Sequence, residues 1–489
     1  MTVPLVFAAL VLAGLQFTTP NLIGNDSYFH IRYAQVIRAA GVRGFPPAFP
    51  WLPLTILAPD RYADHHMLFH LWLVPFTLGD LRVGGKLAGV AGAVAFVAMF
   101  LWVLRRHGVA LLGTATLALL ASSADLLFRL NMTRVQALSL VCLLAGFHCA
   151  LRERLLALAA VGCVYAWLYD GFPLLLLPVV ASVAATWICE RRLRPAVVAA
   201  AAGGILVGLV CTPYFPEYFR FILHHFGDKL VPGETVRVGR EWFPYEPAEL
   251  MANALPAMLF VAFGASVLAE RGIRRERDAL AALLVALVFL ALTLRSKRFI
   301  EYFAPAATLF VALAGWRAIA AWPRARRLAL TGVLAAVAAA NIGGVGWTLL
   351  RKRDETPHDL YAAAARYVVR EAPPGAMLCT TDWDDFPWLY FHDVESTYLV
   401  GLDPTYLLDR YHDAYWRWVD AADGRVPEPS RVFGGRLPCA YVLSDRLHAA
   451  FLENAARDPG LEEVLADEHM VLYRVKRDGP PPLYPSTID

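Results

Sequence analysis

About eleven stretches of this chain are long and apolar enough to cross a bilayer: residues 2–18, 84–104, 109–127, 136–150, 155–170, 172–189, 195–213, 251–269, 279–294, 300–318 and 328–348. A spanning helix needs about 20 mostly apolar residues. No water reaches the hydrocarbon core, so every backbone hydrogen bond must close within the segment or its neighbours. The pattern restricts the chain to a polytopic α-helical membrane protein. Its 18% of charged residues against 58% hydrophobic ones agrees with that class.

Orientation follows from arginine. The short loops after alternate stretches carry Arg105 and Arg106, then Arg152 and Arg154, then Arg191, Arg192 and Arg194. Arg271, Arg274, Arg275 and Arg277 follow, then Arg317, Arg324, Arg326 and Arg327. Short basic loops stay in the cytoplasm. The opposite face then receives two long loops, 19–83 and 214–250, and the chain beyond 351, with Arg351, Lys352 and Arg353 as the one exception to the bias. Residues 1–350 read as a multi-span membrane domain and 351–489 as an extracytoplasmic soluble domain. In the latter, "DLYAAAARYVVREA" is helix-like, and "GAMLCTT", "STYLVGL" and "CAYVLSD" are strand-like, a mixed α/β pattern. Residues 2–18 have no charged n-region and no small-residue cleavage motif, and read as a retained first helix. Within the first long loop, 66–76 is too short to span comfortably and reads as an interfacial helix. The tail from Pro480 reads as flexible.

A net charge of +3 offers no basic surface for nucleic acid. None of the seven cysteines forms a CxxC pair, which argues against a zinc ribbon or redox motif. Cys142, Cys149, Cys163, Cys189 and Cys211 lie in apolar runs as small core residues. Cys379 and Cys439 lie in the soluble part, as a disulfide if that part is outside, or as two buried thiols.

The unusual polar residues collect on the outer face. Asp26, in "NDSYFH", follows the first apolar stretch directly, where Trp, Tyr, Lys or Arg would be the inexpensive choice. Asn25 or Asp26 opens a helix over "SYFHIRYAQVIRAA" as its N-cap, and, compatibly with that, Asp26 offers an oxygen to a hard cation such as Mg²⁺ or Mn²⁺. "ADHHMLFH" groups Asp64, His65, His66 and His70, as metal ligands or as histidines at the water boundary. In 233–250, Glu241 precedes Trp242, Phe243 and Pro244, which would hold it near the bilayer surface. "RSKRFIEYFAP" puts Arg295, Lys297 and Arg298 at the outer edge of a span, with Glu301 in reach as an ion-pair partner. They either snorkel to headgroups or bind a lipid-linked phosphate, for which Arg supplies a bidentate fork. "TTDWDDFPWLYFHD", 380–393, reads as a polar recognition pocket on a loop leaving a strand.

Taken together these pieces resemble the catalytic subunit of oligosaccharyltransferase in its single-subunit bacterial and archaeal form, one of the C-class membrane glycosyltransferases. The resemblance is one of order and spacing. It implies many membrane helices followed by an extracytoplasmic domain. Asp26 in "GNDSYF" matches the family's first-loop metal aspartate, and Glu241 in "REWFPYEP" the loop glutamate of the metal and acceptor site. Arg298 in "KRFIEYFAP" matches the arginine that holds the lipid pyrophosphate. Trp383 and Asp384 match the middle of the acceptor-binding signature, which here reads Asp382-Trp383-Asp384-Asp385-Phe386. Where the family carries a second acidic motif, "LLFRLNMTRVQAL" has no acid, and Arg134 and Gln136 occupy the region. Asp64 and His65 are candidates to replace the missing ligand, or Arg134 to supply charge in place of a cation.

The function so implied is transfer of a sugar or oligosaccharide from a polyprenyl-(pyro)phosphate donor to a protein or glycan acceptor, on the outer face of the cytoplasmic membrane. Asp26, Asp64 and Glu241 are the expected catalytic carboxylates. Arg295, Lys297 and Arg298 are expected on the donor phosphate, Trp383, Asp384 and Asp385 on the acceptor, and Asp26, Glu241 and His65 on Mn²⁺ or Mg²⁺. The alternatives are single-sugar transfer from a polyprenyl monophosphate to a lipid or polysaccharide, and a non-enzymatic transporter or scaffold for lipid-linked sugars.

Overall fold

In chain order the helices are α1 (Thr2–Gln16), α2 (Asp26–Ala40), α3 (Met67–Leu73), α4 (Leu81–Arg106), α5 (Leu112–Ala121), α6 (Ala124–Leu130), α7 (Gln136–Leu151) and α8 (Leu155–Leu168). Then come α9 (Leu176–Glu190), α10 (Pro195–Val210), α11 (Glu217–Leu230), α12 (Pro247–Arg271), α13 (Arg277–Arg295), α14 (Ile300–Ala321) and α15 (Arg324–Glu355). The computed structural model describes residues 1–230 and 239–477, with backbone alone at 224–230 and 354. The first residues of the loop around Glu241 and the tail from Pro480 lie outside the described residues.

The chain divides into two compact units. The first comprises Met1–Ile23, His65–Phe215 and Gly239–Glu355. Among the described residues, six of its helical segments are long and apolar enough to span a membrane: 81–106, 172–190, 247–271, 277–295, 297–321 and 324–353. Five expected spans form shorter apolar helices: α1, α5, α7, α8 and α10. The stretch expected as one span over 109–127 is broken, because Ser122 and Ser123 end α5 and cap α6. Ser122 returns its hydroxyl to the Leu119 carbonyl, and Ser123 Oγ accepts from the Leu126 amide at 3.2 Å. The segment at 66–76 forms α3 and a 3₁₀ turn, Val74–Thr77.

Only 17% of the apolar stretch of α15 is buried within the protein. An apolar helix so little covered by its own chain requires lipid as its remaining solvent. The α8–α10 contact is tight for a specific reason. A Cβ on Gly204 would lie 2.0 Å from the Ala159 carbonyl oxygen, and one on Gly162 2.8 Å from that of Ala201. Small residues let the two backbones touch where side chains would hold them apart.

The second unit comprises Gly24–Asp64, Pro216–Val238 and Thr356–Asp489, so most of the first outer loop folds with the C-terminal region. Its strands are β1 (Met377–Thr380), β2 (Thr397–Tyr398), β3 (Cys439–Asp445), β4 (Leu461–Ala466) and β5 (Met470–Val475), ordered β2-β1-β3-β5-β4. β1 runs parallel to β2 and β3, and β5 is antiparallel to β3 and β4. The three expected strands and the expected helix, α16 (Ala362–Glu371), are present. The sheet packs on a core that includes Tyr415, Trp418, Phe433 and Phe451, and a disulfide joins Cys379 to Cys439 across the neighbouring strands β1 and β3.

Candidate functional site

Arg298 lies at the junction between two helices of the first unit. Helix α13 stops at Arg295, Ser296 takes an extended conformation, and a 3₁₀ turn, Lys297–Phe299, leads into α14. A second 3₁₀ turn, Arg240–Trp242, docks on the first by main-chain bonds. The Lys297 amide donates to the Phe243 carbonyl at 2.9 Å, and Ser296 Oγ to that of Glu241 at 2.9 Å. The Glu241 carboxylate is thereby set against the Arg298 guanidinium, whose Nη1 donates to Oε1 at 2.7 Å. Arg298 also lies over the Trp242 ring, 4.8 Å from its centroid, and its Nη2 donates to the Tyr169 hydroxyl at 3.1 Å.

Two further arginines close on the same carboxylate. Arg129, on α6, donates from Nη2 to Glu241 Oε2 at 3.0 Å and from Nη1 to Glu301 Oε2 at 3.3 Å. Arg134 Nη1 lies 3.6 Å from Glu241 Oε2. Burial would raise the Glu241 carboxyl, but Arg298, Arg134 and Arg129 outweigh it and hold the group well below the usual range. Glu301 is buried, and its Oε1 has no hydrogen-bond partner among the described residues. His66 stacks on Tyr169 with centroids 5.5 Å apart, next to His65, and burial holds its imidazole neutral.

The three basic residues expected on a phosphate separate here. Arg298 is in the cluster. Lys297 turns to Glu249, at 2.7 Å, and lies 5.7 Å from the centroid of the Tyr245 ring, while Arg295 is exposed. The Glu301 ion pair expected with this group runs instead to Arg129. Arg129 itself is not singled out by the sequence. A cation between Phe128 and Leu130 in an apolar helix was the available signal, since such a charge needs a buried partner.

The second unit holds Asp26, Asp64 and the 380–393 segment. Asp26 begins α2, and Asn25, the N-cap, makes no side-chain cap bond. Its amide donates instead to Asp384 Oδ2 at 2.6 Å, bringing the start of α2 to the expected acceptor residues. The segment forms a 3₁₀ turn, Trp383–Asp385, and then α17 (Phe386–His392). The aromatics of α17 pack on α2: Tyr28 and Trp388 have ring centroids 3.9 Å apart, Phe29 and Tyr390 5.3 Å. Asp385 is buried and accepts from the Tyr361 hydroxyl at 2.8 Å, and burial, with Asp382 and Asp445 nearby, pushes its carboxyl well up. Trp383 packs against the sheet core.

Both Glu241 oxygens are engaged by guanidinium groups, so a divalent cation there would sit among three positive charges. Among the described residues no three His, Cys, Asp or Glu side chains are grouped to hold a metal. Glu241 as arranged does not fit a metal-ligand role.

No family model matches the chain, and no curated protein matches it in sequence. Solved structures do. ArnT from Cupriavidus metallidurans, bound to undecaprenyl phosphate, aligns with a TM-score of 0.60 at 16% identity over 99% of each chain. The oligosaccharyltransferase AglB from Archaeoglobus fulgidus, with an inhibitory peptide and a dolichol-phosphate, aligns at 0.58 and 14%, over 93% of this chain and 70% of its own. The apo form of the Archaeoglobus enzyme aligns at 0.56 and 14%. At such identities the likeness concerns the fold alone, and this chain shares its fold with ArnT and with the Archaeoglobus oligosaccharyltransferase.

Proposed function

We propose that the protein is a glycosyltransferase that takes a sugar from a polyprenyl-phosphate donor and passes it to an acceptor at the outer face of the cytoplasmic membrane. The observation that carries this reading is the cluster of Arg129, Arg134 and Arg298 closed around one carboxylate at the ends of apolar helices. Three guanidinium groups at that depth serve an anion, and a phosphate on a membrane lipid presents one there. The two neighbours bound to undecaprenyl phosphate and to dolichol-phosphate support the same chemistry. Single-sugar transfer from a monophosphate carrier is the second reading, favoured by the absent second acidic motif and by the altered acceptor signature Asp382-Trp383-Asp384-Asp385-Phe386. The Cys379–Cys439 disulfide supports an oxidising, outer location for the second unit.

In the reaction an acceptor oxygen attacks the anomeric carbon. The bond from that carbon to the phosphate oxygen breaks, and its electron pair goes to the leaving lipid phosphate. The acceptor's proton passes to a carboxylate, for which Asp26 and Asp64 are the candidates. Charge grows on the phosphate as the bond breaks, so fixed guanidinium groups bind the transition state more tightly than the donor ester.

The test is release of lipid phosphate by purified protein in detergent, offered a panel of polyprenyl-phosphate sugars. Release by wild type, lost in Arg298→Ala and in Asp26→Ala, is the expected result. Tight donor binding without release under any condition would favour a transporter or scaffold.

A further inference from the structure

Resting on the reading above, we infer that Arg129, Arg134 and Arg298 form a phosphate seat that does the work of a divalent cation, and that Glu241 is the internal anion which the lipid phosphate displaces. Three observations carry it. First, the expected second acidic motif is replaced by a segment whose arginines, Arg129 and Arg134, reach the site. Second, the carboxylate expected to bind metal has both oxygens in guanidinium contacts. Third, a phosphate monoester carries about −1.5 to −2 at neutral pH, more than the single charge of the Glu241 carboxylate, so it competes with that carboxylate for the three guanidinium groups.

The two glutamates are not equivalent. The Glu241 side chain keeps 24% of its exposure and the Glu301 side chain 2%. Glu241 is thus the carboxylate that an incoming phosphate meets, while Glu301 stays as the fixed partner of Arg129. Glu241 keeps the guanidinium groups converged until the ligand arrives, so little ordering remains at binding.

The experiment uses the full-length protein in phosphatidylcholine nanodiscs and undecaprenyl phosphate as the probe, with affinity measured in EDTA and in Mn²⁺. Equal affinity within about twofold in the two conditions is expected. Arg134→Gln and Arg129→Lys should each weaken binding about tenfold, the scale of one charge-assisted hydrogen bond. Glu241→Gln should tighten it by removing the competing anion, and Arg192→Gln, at the other end of the helices, should leave it unchanged. Binding that requires Mn²⁺ would overturn the inference and spare the donor reading. Binding in neither condition would overturn both. Weaker binding in Glu241→Gln, or loss of binding when phosphatidylglycerol is added to the disc, would also overturn the inference, the latter by marking a general headgroup site. The comparison of EDTA with Mn²⁺ needs no variant, so misfolding of an Arg129 variant would leave the inference testable.

Discussion

Glu241 and Asp385 are both enclosed carboxyls, and their neighbours drive them in opposite directions. Glu241 is held low by three arginines, so the stability it contributes is present above its unfolded value and lost only as pH falls through a folded value well beneath that. Mild acid should leave the arginine cluster intact. Asp385 is the reverse. Burial and the neighbouring Asp382 and Asp445 raise its carboxyl, and its Oδ2 has no hydrogen-bond partner among the described residues. The folded state therefore prefers it protonated, and stability falls as pH rises above the unfolded value toward the folded one. Asp385→Asn keeps an acceptor for Tyr361 and removes the charge. The variant should melt a few degrees above wild type at pH 8, about 1 kcal/mol or more, with the difference vanishing toward pH 4. Thermal unfolding of the full-length protein across that range checks it, and a lower melting point at pH 8 would count against a raised Asp385. These two residues also show how far a sequence carries. Glu241 and Arg298 were legible because each sits beside aromatics at a span edge. The partnership of Glu241 with Arg129 was not, because 112 positions separate them and only the folded helices join them.

At the scale of elements, the sharpest test is the α8–α10 contact. Gly204→Leu would drive a side chain into the Ala159 backbone, which has no rotamer with which to yield. A loss of about 3 kcal/mol or more is expected. Gly203→Leu, one position away, meets nothing within 4 Å and should be tolerated. Thermal unfolding in detergent should separate the two neighbours clearly, and equal behaviour would refute close helix packing. The disulfide gives a second test. It closes a loop of 60 residues between parallel neighbours, and the chain-entropy account assigns such a link about 4 kcal/mol. The Cys379→Ala, Cys439→Ala double variant should make the second unit sensitive to limited proteolysis at temperatures where wild type resists. The helices were readable from apolar length and the parallel strands from short β-branched and aromatic runs. The β4–β5 hairpin was not, since "LEEVLA" carries acids at exposed edge positions. Nor was α17, whose aromatics look like a recognition loop until α2 is seen against them.

The whole first unit is polarised from end to end. Its arginine loops meet one another: Arg152 donates to the Arg106 carbonyl at 3.2 Å, Arg194 pairs with Glu153 at 3.2 Å, Arg277 with Glu190 at 2.9 Å and Arg317 with Glu276 at 3.6 Å. The cluster around Glu241 joins the opposite ends of the same helices. Helix α13 connects the two ends, from Arg277 to Arg295; its 19 residues span about 28 Å at 1.5 Å per residue, close to the thickness of a hydrocarbon core. The short loops that are rich in arginine in the sequence are gathered by the fold on one face. That face should be cytoplasmic, which would set the arginine cluster around Glu241 at the outer surface. With the five free cysteines replaced by Ala, a single cysteine at Arg192 should react with a membrane-impermeant maleimide only after permeabilisation. One at Leu447, 88% exposed, should react in intact spheroplasts. The reverse pattern would put the arginine cluster on the cytoplasmic side, where a donor presented on the outer leaflet does not reach it, and the proposed reaction would fail on geometry alone.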